Sequence, residues 1–338
     1  IMRKYGYKSG IMIGLILFGI GSILFVPAAN SLQYIYFLVA LFVIACGLTF
    51  LETAANPYVT VLGPSETATK RLNFSQSFNG LAAFIAPAYV GPMILSDKNY
   101  TQAQLEAMAP AVKQAYLASE AASVKMPYLI LGLIILAVAV VFYFTNMPDV
   151  KDEDVEGEGG ASFAGALKSM RLRWGILAQF FYVGAQVCVG SFFIKMATTS
   201  AGIDEDSAAK YLGFYGLAFM LGRFAGTFLM QYFNPRKLLI AYSIINVVLS
   251  IVAMTGTGMI VVYALIAIAF FMSIMFPTIF SMGIEGLGHN TKIGSSLIVM
   301  SIVGGAFLPP ILGIISDKTN SIQNGYIVPL VCFLVVLV

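Results

Sequence analysis

The sequence predicts an all-α membrane protein whose helices form two related halves. Three observations lead to this fold class. The composition is too apolar for a water-soluble protein, ten apolar stretches are long enough to cross a bilayer, and the two parts of the chain repeat one another. The repeat predicts two pseudo-symmetric six-helix bundles, with ten of the twelve helices present.

Composition is the first observation. Of the 338 residues, 59% are hydrophobic and 10% are charged, and the mean hydropathy is +0.87. A soluble domain carries roughly 25% charged residues. A chain with so few charges would expose more apolar surface than water tolerates, so we expect the lipid bilayer as its solvent. The net charge of +3 is too small to indicate nucleic acid, and we expect no nucleic-acid partner.

The apolar stretches are the second observation. A helix needs about 20 mostly apolar residues to cross a bilayer. Because lipid offers no hydrogen-bond partners to the backbone, runs of this length are expected to be helical, and the alternating segments of a membrane barrel are missing from the sequence. The predicted spans are 9–29, 33–60, 70–96, 124–147, 173–199, 207–233, 237–256, 259–286, 291–316 and 323–338.

Basic residues predict the orientation, because cytoplasmic loops of membrane proteins are enriched in Lys and Arg. With the N-terminal end in the cytoplasm, the inner side holds most of the basic residues, and only Lys195 and Arg223 fall within spans. The inner residues are Arg3, Lys4, Lys8, Lys70, Arg71, Lys151, Lys168, Arg171, Arg173, Arg236, Lys237 and Lys292. The outer residues are Lys98, Lys113, Lys125, Lys210 and Lys318.

Two long polar segments separate the spans. Residues 97–123 are rich in alanine and predict an external helical hairpin or cap. Residues 148–172 are acidic and glycine-rich and cannot bury enough apolar surface to fold compactly. We therefore predict an N-terminal bundle over 1–147, a cytoplasmic linker over 148–172 and a C-terminal bundle over 173–338.

The internal repeat is the third observation. Pro57, Lys70 and Pro87 are matched downstream by Pro277, Lys292 and Pro309, at offsets of 220, 222 and 222 residues. In both halves a basic loop is followed by a Gly/Ala-rich helix that we expect proline to break. Parallel repeats of six helices build the major facilitator architecture. The period places the start of the first half before Ile1, so we expect two further helices there. The alternative is a ten-helix protein with chance matches.

Glu52 is the most informative polar residue within the spans. An ionisable group at bilayer depth is costly and usually faces a cavity. Asn56 lies one turn away on the same helix face, and Pro57 removes a backbone hydrogen bond, so we expect the helix to open there. This arrangement suits a proton carrier at Glu52, and we expect Asn56 to contact the substrate. The alternative is a neutral glutamic acid that holds two helices together.

Amide side chains form stripes on two other spans. Asn73, Gln76 and Asn79 recur at helical spacing on one. Amides both donate and accept hydrogen bonds and can bind sugar hydroxyls, although they can equally join helices. We expect sugar contact chiefly from Gln76 and Asn79.

The second stripe comprises Gln179, Tyr182 and Gln186, at i, i+3 and i+7 in an otherwise apolar helix. We expect this face to line a cavity. Among the aromatic residues, Tyr182 and Phe276 could stack on the apolar face of a pyranose ring. Arg223 is expected to anchor a gate or a lipid headgroup rather than touch substrate.

The sequence gives no sign of a metal or cofactor. Cys46, Cys188 and Cys332 are widely separated within apolar runs, and His289 is the only histidine. No CxxC motif or His/Cys cluster with metal-ligand spacing is present in the sequence. We expect no cofactor, no metal site and small, inert cysteines.

Five stretches resemble the L-fucose:proton symporter family of the major facilitator superfamily. They are residues 52–64 (ETAANPYVTVLGP), 71–79 (RLNFSQSFN), 178–186 (AQFFYVGAQ), 276–281 (FPTIFS) and 294–300 (GSSLIVM). The resemblance implies twelve helices, with sugar and proton bound between the halves. It also implies that Glu52 is one of two carboxylates tied to transport, the other being on the first helix of the family. Relatives often have Tyr where this chain has Phe276, which removes a possible hydroxyl contact.

The resemblance implies proton-coupled symport of a monosaccharide, L-fucose first, by a monomer in the bacterial inner membrane. Glucose/galactose symport within the same family stays open. A drug/proton antiporter is the rival on physical grounds, although it would be expected to carry fewer amides. A membrane enzyme would need a catalytic cluster, and a channel would need a repeated filter; the sequence carries neither.

Overall fold

A computed structural model describes residues 2–86, 100, 102–148 and 162–337. By their packing, the described residues divide into two compact units. The first unit comprises Ile1–Tyr58 and Ile85–Lys151, and the second comprises Val59–Phe84 and Asp152–Val338. The division predicted from the sequence, at 147 and 172, stays a prediction.

The first half of the chain contains seven described helices. They are α1 (Met2–Ile23), α2 (Phe25–Ser31), α3 (Tyr34–Val61), α4 (Ala68–Ile85), α5 (Gln102–Ala107), α6 (Pro110–Ser123) and α7 (Lys125–Phe144). The membrane-crossing part of α1 begins at Gly6, whose φ of 75° and ψ of 177° fit glycine alone. The segment predicted as an external hairpin contains α5 and α6, and its first residues lie outside the described part of the chain.

Glycine lets helices of the first unit approach closely. A Cβ atom placed on Gly132 of α7 would lie 2.9 Å from the carbonyl oxygen of Gly19 on α1. Small residues of this kind allow close backbone packing in membranes, where van der Waals contact replaces the hydrophobic effect. The same two helices are joined at their ends, where Lys8 Nζ donates to the carbonyl oxygens of Tyr143 (2.9 Å) and Thr145 (2.8 Å).

The second half contains eleven described helices. They are α8 (Phe163–Leu167), α9 (Met170–Ser191), α10 (Phe193–Ala201), α11 (Glu205–Leu229), α12 (Pro235–Thr255), α13 (Met259–Met272), α14 (Met275–Ile284), α15 (Thr291–Met300), α16 (Gly304–Thr319), α17 (Ile322–Gly325) and α18 (Ile327–Leu337). Their shared core is built around fully buried side chains such as Tyr182, Phe193, Leu265 and Phe333.

Side-chain caps begin several of these helices. Ser169 caps α9, Asp204 caps α11 and Asn234 caps α12, each accepting a hydrogen bond from a backbone N–H of the first turn. At α11, the backbone N–H of Ser207 donates to the Asp204 carboxylate at 2.8 Å and, with the Ser207 hydroxyl, holds the pKa of Asp204 below its ordinary value.

The helices agree with the predicted spans. Eight helical segments of the described chain are long and apolar enough to cross a membrane, and 322–337 is a shorter apolar helix. The predicted span 70–96 corresponds to α4, and its remainder lies outside the described residues. Most of the linker predicted over 148–172 is likewise outside them.

The described prolines do not break the helices, contrary to our expectation, and Pro87 lies outside the described residues. α3 continues through Pro57, and α16 contains Pro309 and Pro310. Neighbouring helices and local adjustment make proline tolerable within membrane helices. The breaks lie instead at Ser273, between α13 and α14, and near Ser301, between α15 and α16.

Serine stabilises both breaks. The Ser273 hydroxyl donates to the Phe270 carbonyl at 2.7 Å, and the Ser301 hydroxyl donates to the Ile298 carbonyl at 2.5 Å. Each bond adds a hydroxyl donor to a backbone oxygen three residues earlier, which also accepts from the backbone N–H of the same serine.

Candidate functional site

Glu52 and Asn56 form a hydrogen-bonded pair on α3. The Asn56 amide Nδ2 donates to Glu52 Oε2, as expected for residues one helical turn apart. Asn56 is buried and Glu52 is half-buried. The amide therefore holds the carboxylate in one orientation, and both lie in the first unit.

The amide stripe of α4 divides into three different environments. Asn73 is buried and donates from Nδ2 to the Thr69 carbonyl (2.9 Å) and to Thr278 Oγ1 (3.1 Å). Gln76 is half-buried and accepts from Arg223, while Asn79 is exposed. Asn73 thus joins helices, and the smaller role in sugar contact expected for it stays a prediction.

Gln179 is the most unusual polar group of the second unit. Its side chain is fully buried on α9, and neither amide atom has a hydrogen-bond partner among the described residues. A buried polar group left without a partner costs about 1–3 kcal/mol. An amide in this state is suited to a polar ligand or a water molecule, because either would recover that energy.

Two aromatic residues of the predicted site are Tyr182, three residues after Gln179, and Phe276 on α14. Tyr182 is fully buried one turn further along α9, and its ring centroid is 6.5 Å from that of Phe276 on α14. Phe276 is half-buried and nearly parallel to Phe280, with centroids 6.5 Å apart. Gln186, a further turn along α9, is half-buried. This part of α9 and α14 thus presents amide and aromatic groups together.

The Arg223 side chain is buried within the protein. Its two expected roles were to anchor a gate or to bind a lipid headgroup, and its burial does not fit the second. Its side chain is 4% exposed, and Nε donates to the Ser273 carbonyl at 3.0 Å. Nη1 donates to the Gln76 carbonyl and lies 3.3 Å from Gln76 Oε1. The guanidinium carbon is 4.8 Å from the ring centroid of Phe219. Arg223 therefore joins α4 to α11 and to the break after α13.

Sequence reasoning missed Asn246. This side chain of α12 is fully buried, and both of its amide atoms lack a hydrogen-bond partner within the described residues. The signal was available, because Ser243, Asn246 and Ser250 form a buried polar stripe at i, i+3 and i+7. Ser243 and Ser250 donate to backbone carbonyls of their own helix, which leaves Asn246 as the distinctive member.

The second unit brings together most of the predicted sugar contacts: Gln76, Asn79, Gln179, Tyr182, Gln186 and Phe276. Glu52 and Asn56 lie in the first unit. Their roles in binding and proton transfer stay predictions. In the described part of the chain, His, Cys, Asp and Glu nowhere form a group of three that could hold a metal ion.

Three comparisons with known proteins give a consistent picture. The family described as the Major Facilitator Superfamily matches residues 1–308. The L-fucose-proton symporter of Escherichia coli (strain K12) is 41% identical over 344 residues, which cover all of this chain and 78% of the relative. The glucose/galactose transporter of Brucella abortus biovar 1 (strain 9-941) is 38% identical over 335 residues, or 98% of this chain and 77% of the relative.

A solved structure is similar throughout the chain. It is the crystal structure of a Major Facilitator Superfamily transporter, FucP, in the outward conformation. The TM-score is 0.91 and the sequence identity 41%, and the match covers 99% of this chain and 83% of that one. The resemblance to fucose symporters noted in the sequence and the helical membrane fold are both confirmed.

Proposed function

Because this chain belongs to the Major Facilitator Superfamily of membrane transporters, we propose that it is a proton-coupled symporter of a monosaccharide, with L-fucose as the first candidate. It is a multi-pass membrane transporter and not an enzyme. The observation that carries the proposal is the Glu52–Asn56 pair, an intramembrane carboxylate held by an amide on a helix with no other acidic residue. Such a carboxylate is a functional group by default at membrane depth.

In the proposed cycle, Glu52 takes up a proton from the outside and sugar binds. The two halves then rock to expose the site to the cytoplasm, where sugar and proton leave. Asn56 keeps the carboxylate in place, because its amide donates directly to Glu52 Oε2. Transport of sugar and proton is coupled if the protein that carries both changes conformation faster than the protein that carries only one of them.

The sugar is bound, in this proposal, by amides and aromatic rings together. Gln179 supports this most directly, because its buried amide gains the partners that it lacks among the described residues. Gln76, Asn79 and Gln186 add further amides, and Tyr182 and Phe276 offer aromatic faces to the apolar side of a pyranose. A neutral polyol fits these groups better than an apolar drug, because each amide needs a hydrogen-bonding partner.

L-fucose takes precedence over glucose or galactose on the strength of the relatives. The L-fucose-proton symporter of E. coli is 41% identical, against 38% for the glucose/galactose transporter of Brucella abortus. Since the difference is small, glucose and galactose are the second candidates. The bacterial relatives also favour a bacterial inner membrane as the location. We propose a monomer as the working form.

The experiment is uptake by proteoliposomes that contain the purified protein. An inward proton gradient is imposed, and accumulation of L-fucose, D-glucose and D-galactose is followed with and without a protonophore. We expect gradient-dependent accumulation of one of these sugars, L-fucose first. Accumulation that the protonophore leaves unchanged would disprove proton coupling, and gradient-driven export of an apolar cation without sugar transport would support an antiporter.

A further inference from the structure

The short helix α8 lies on the second unit just before the first span of that unit. It ends at Leu167, and the membrane-crossing helix α9 begins at Met170. Ser162 begins α8, because its hydroxyl accepts from the Gly165 backbone N–H at 2.9 Å. The Ser162 backbone N–H in turn donates to Asn290 Oδ1 at 3.1 Å. The start of α8 is therefore tied to the turn that precedes α15.

Only part of the α8 surface is packed against the protein. Ala166 is fully buried and belongs to the same apolar cluster as Leu172 and Ile293. A Cβ atom placed on Gly165 would lie 3.4 Å from Asn290 Nδ2, so the backbone of α8 is close to this turn. These contacts hold α8 in place and determine which of its side chains face outward.

The outward side chains next to the membrane are apolar. Phe163 and Leu167 share a face of α8, and Met170 and Trp174 share a face of α9, because each pair is four residues apart. All four side chains are between 42% and 60% exposed, and we call them the apolar strip. The exposed Leu177 continues the strip along α9 into its membrane-crossing part. The apolar strip therefore lies where α9 enters the bilayer.

Basic side chains accompany the apolar strip. Lys168, Arg171 and Arg173 are all exposed. Arg171 Nη1 is 3.5 Å from Glu285 Oε2, so part of its charge is already offset. Lys168 and Arg173 form no ion pair with any described residue. Arg173 Nη2 lies 3.4 Å from Met170 Sδ, which places a guanidinium directly beside the apolar strip.

We propose that the apolar strip, Lys168 and Arg173 form a binding surface for an anionic phospholipid of the cytoplasmic leaflet. The strip contacts the acyl chains next to the headgroup, and the two basic side chains hold its phosphate groups. The occupant is a lipid rather than a soluble partner because the strip continues into the membrane-facing side of α9 at Leu177. The basic residues are on the predicted inner side, where anionic headgroups attract them. The proposal requires a membrane location and does not depend on which sugar is carried.

Trp174 is the only tryptophan of the chain and reports directly on this surface. The full chain is reconstituted in vesicles of phosphatidylglycerol and phosphatidylcholine in equal amounts, with brominated acyl chains on one lipid or on the other. Bromine quenches tryptophan fluorescence on contact, so the two samples compare the lipids at one residue. We expect stronger quenching by the phosphatidylglycerol, with a preference of roughly fivefold for each basic residue that contributes. High salt should lower the preference. Equal quenching by the two lipids would overturn the proposal.

Charge variants test the headgroup contacts. Lys168→Gln and Arg173→Gln should each lower the preference for phosphatidylglycerol roughly fivefold, and Arg171→Gln should lower it less because Glu285 already offsets that charge. Lys210→Gln is the matched control, since it removes the same charge from an exposed residue on the predicted outer side and should change nothing. A full preference in the variant that combines Lys168→Gln with Arg173→Gln would assign the lipid to another surface.

A second tryptophan position tests α8 itself. Combining Trp174→Phe with Phe163→Trp moves the only tryptophan to α8, and Leu167→Trp in the same background is the alternative if that variant does not fold. We expect brominated phosphatidylglycerol to quench this tryptophan as well. A tryptophan on α8 that neither brominated lipid quenches would leave the surface to water or to a protein partner and would disprove the lipid site. Because no sugar is needed, these results do not depend on the outcome of the uptake experiment.

Discussion

α3 and the α13–α14 pair are the same element of the repeat, yet they carry different chemistry. Pro57 and Pro277 are 220 residues apart, and the same offset pairs Glu52 with Met272 and Asn56 with Phe276. The first member of each pair is polar, whereas Met272 is fully buried in the apolar core and Phe276 packs near Tyr182. Both halves therefore have the proline, but only the first half has ionisable and hydrogen-bonding side chains at the two paired positions.

The backbone differs as well. α3 is continuous from Tyr34 to Val61, whereas its counterpart is interrupted at Ser273, where Arg223 binds the Ser273 carbonyl. The comparison teaches that proline does not decide where these helices break. At the break after α13, the Ser273 hydroxyl donates to its own helix backbone and Arg223 from another helix donates to the Ser273 carbonyl. The proposed function places proton transfer on α3 and sugar contact on α4, α9 and α14.

The largest expected effect tests the proton side of this division. Glu52→Gln keeps the size of the side chain and mimics its protonated form. We expect gradient-driven accumulation to fall to the level measured without a gradient, while sugar exchange in a counterflow assay continues. Met272→Leu, at the equivalent position of the second half, is the matched control and should accumulate sugar normally. Normal accumulation by the Gln variant would show that Glu52 does not couple proton and sugar transport. The proposed functional difference between Glu52 and Met272 would then be wrong.

A smaller effect is expected on the sugar side. Gln179→Ala should weaken sugar affinity roughly two- to tenfold, because one or two hydrogen bonds to a neutral ligand are lost. The ratio of protons to sugar carried should not change, since the carboxylate is intact. Affinity is measured by equilibrium binding or by the sugar concentration for half-maximal uptake. Ser243→Ala, which removes a fully buried hydroxyl that bonds to the Leu239 carbonyl of its own helix, is the control and should leave affinity unaltered; equal losses in both variants would argue for a general packing effect.

The smallest effect concerns the position that pairs with Asn56. Phe276→Tyr adds a hydroxyl to a half-buried ring and is expected to strengthen sugar binding about twofold, the gain from one weak hydrogen bond. Phe276→Leu removes the ring and should weaken binding instead. Opposite signs for the two variants would place the sugar beside α14. An absence of change in both would confine the sugar to α9 and the first half.

The sequence was sufficient for the fold because each span had to be helical. Lipid satisfies no backbone group, so a long apolar run such as 237–256 has few alternatives, and the observed α12 begins and ends within two residues of it. Helix breaks were not predictable in the same way. Ser273 looks like any small residue in a membrane helix until the guanidinium of Arg223 is placed beside its carbonyl, and that contact depends on tertiary packing.

The candidate site was predictable in its residue types but not in its partners. A glutamate four residues before an asparagine indicated the hydrogen bond that Asn56 makes to Glu52. The spacing of the α4 amides did not indicate their partners, which are Thr278 for Asn73 and Arg223 for Gln76. Spacing reports which side chains share a face of one helix. It does not report which helix that face will meet.

Lys8 has a consequence for how the chain enters the membrane. Its ammonium group binds the last carbonyls of α7 at Tyr143 and Thr145, so the start of α1 and the end of α7 must lie on one side of the bilayer. A chain in which a single span between these two helices failed to insert, leaving α7 reversed, could not form this contact. The same lysine also contributes to the positive charge that orients α1. One side chain therefore acts twice during biogenesis: it helps to orient α1, and it later favours those products in which the end of α7 lies on the same side of the bilayer as the start of α1.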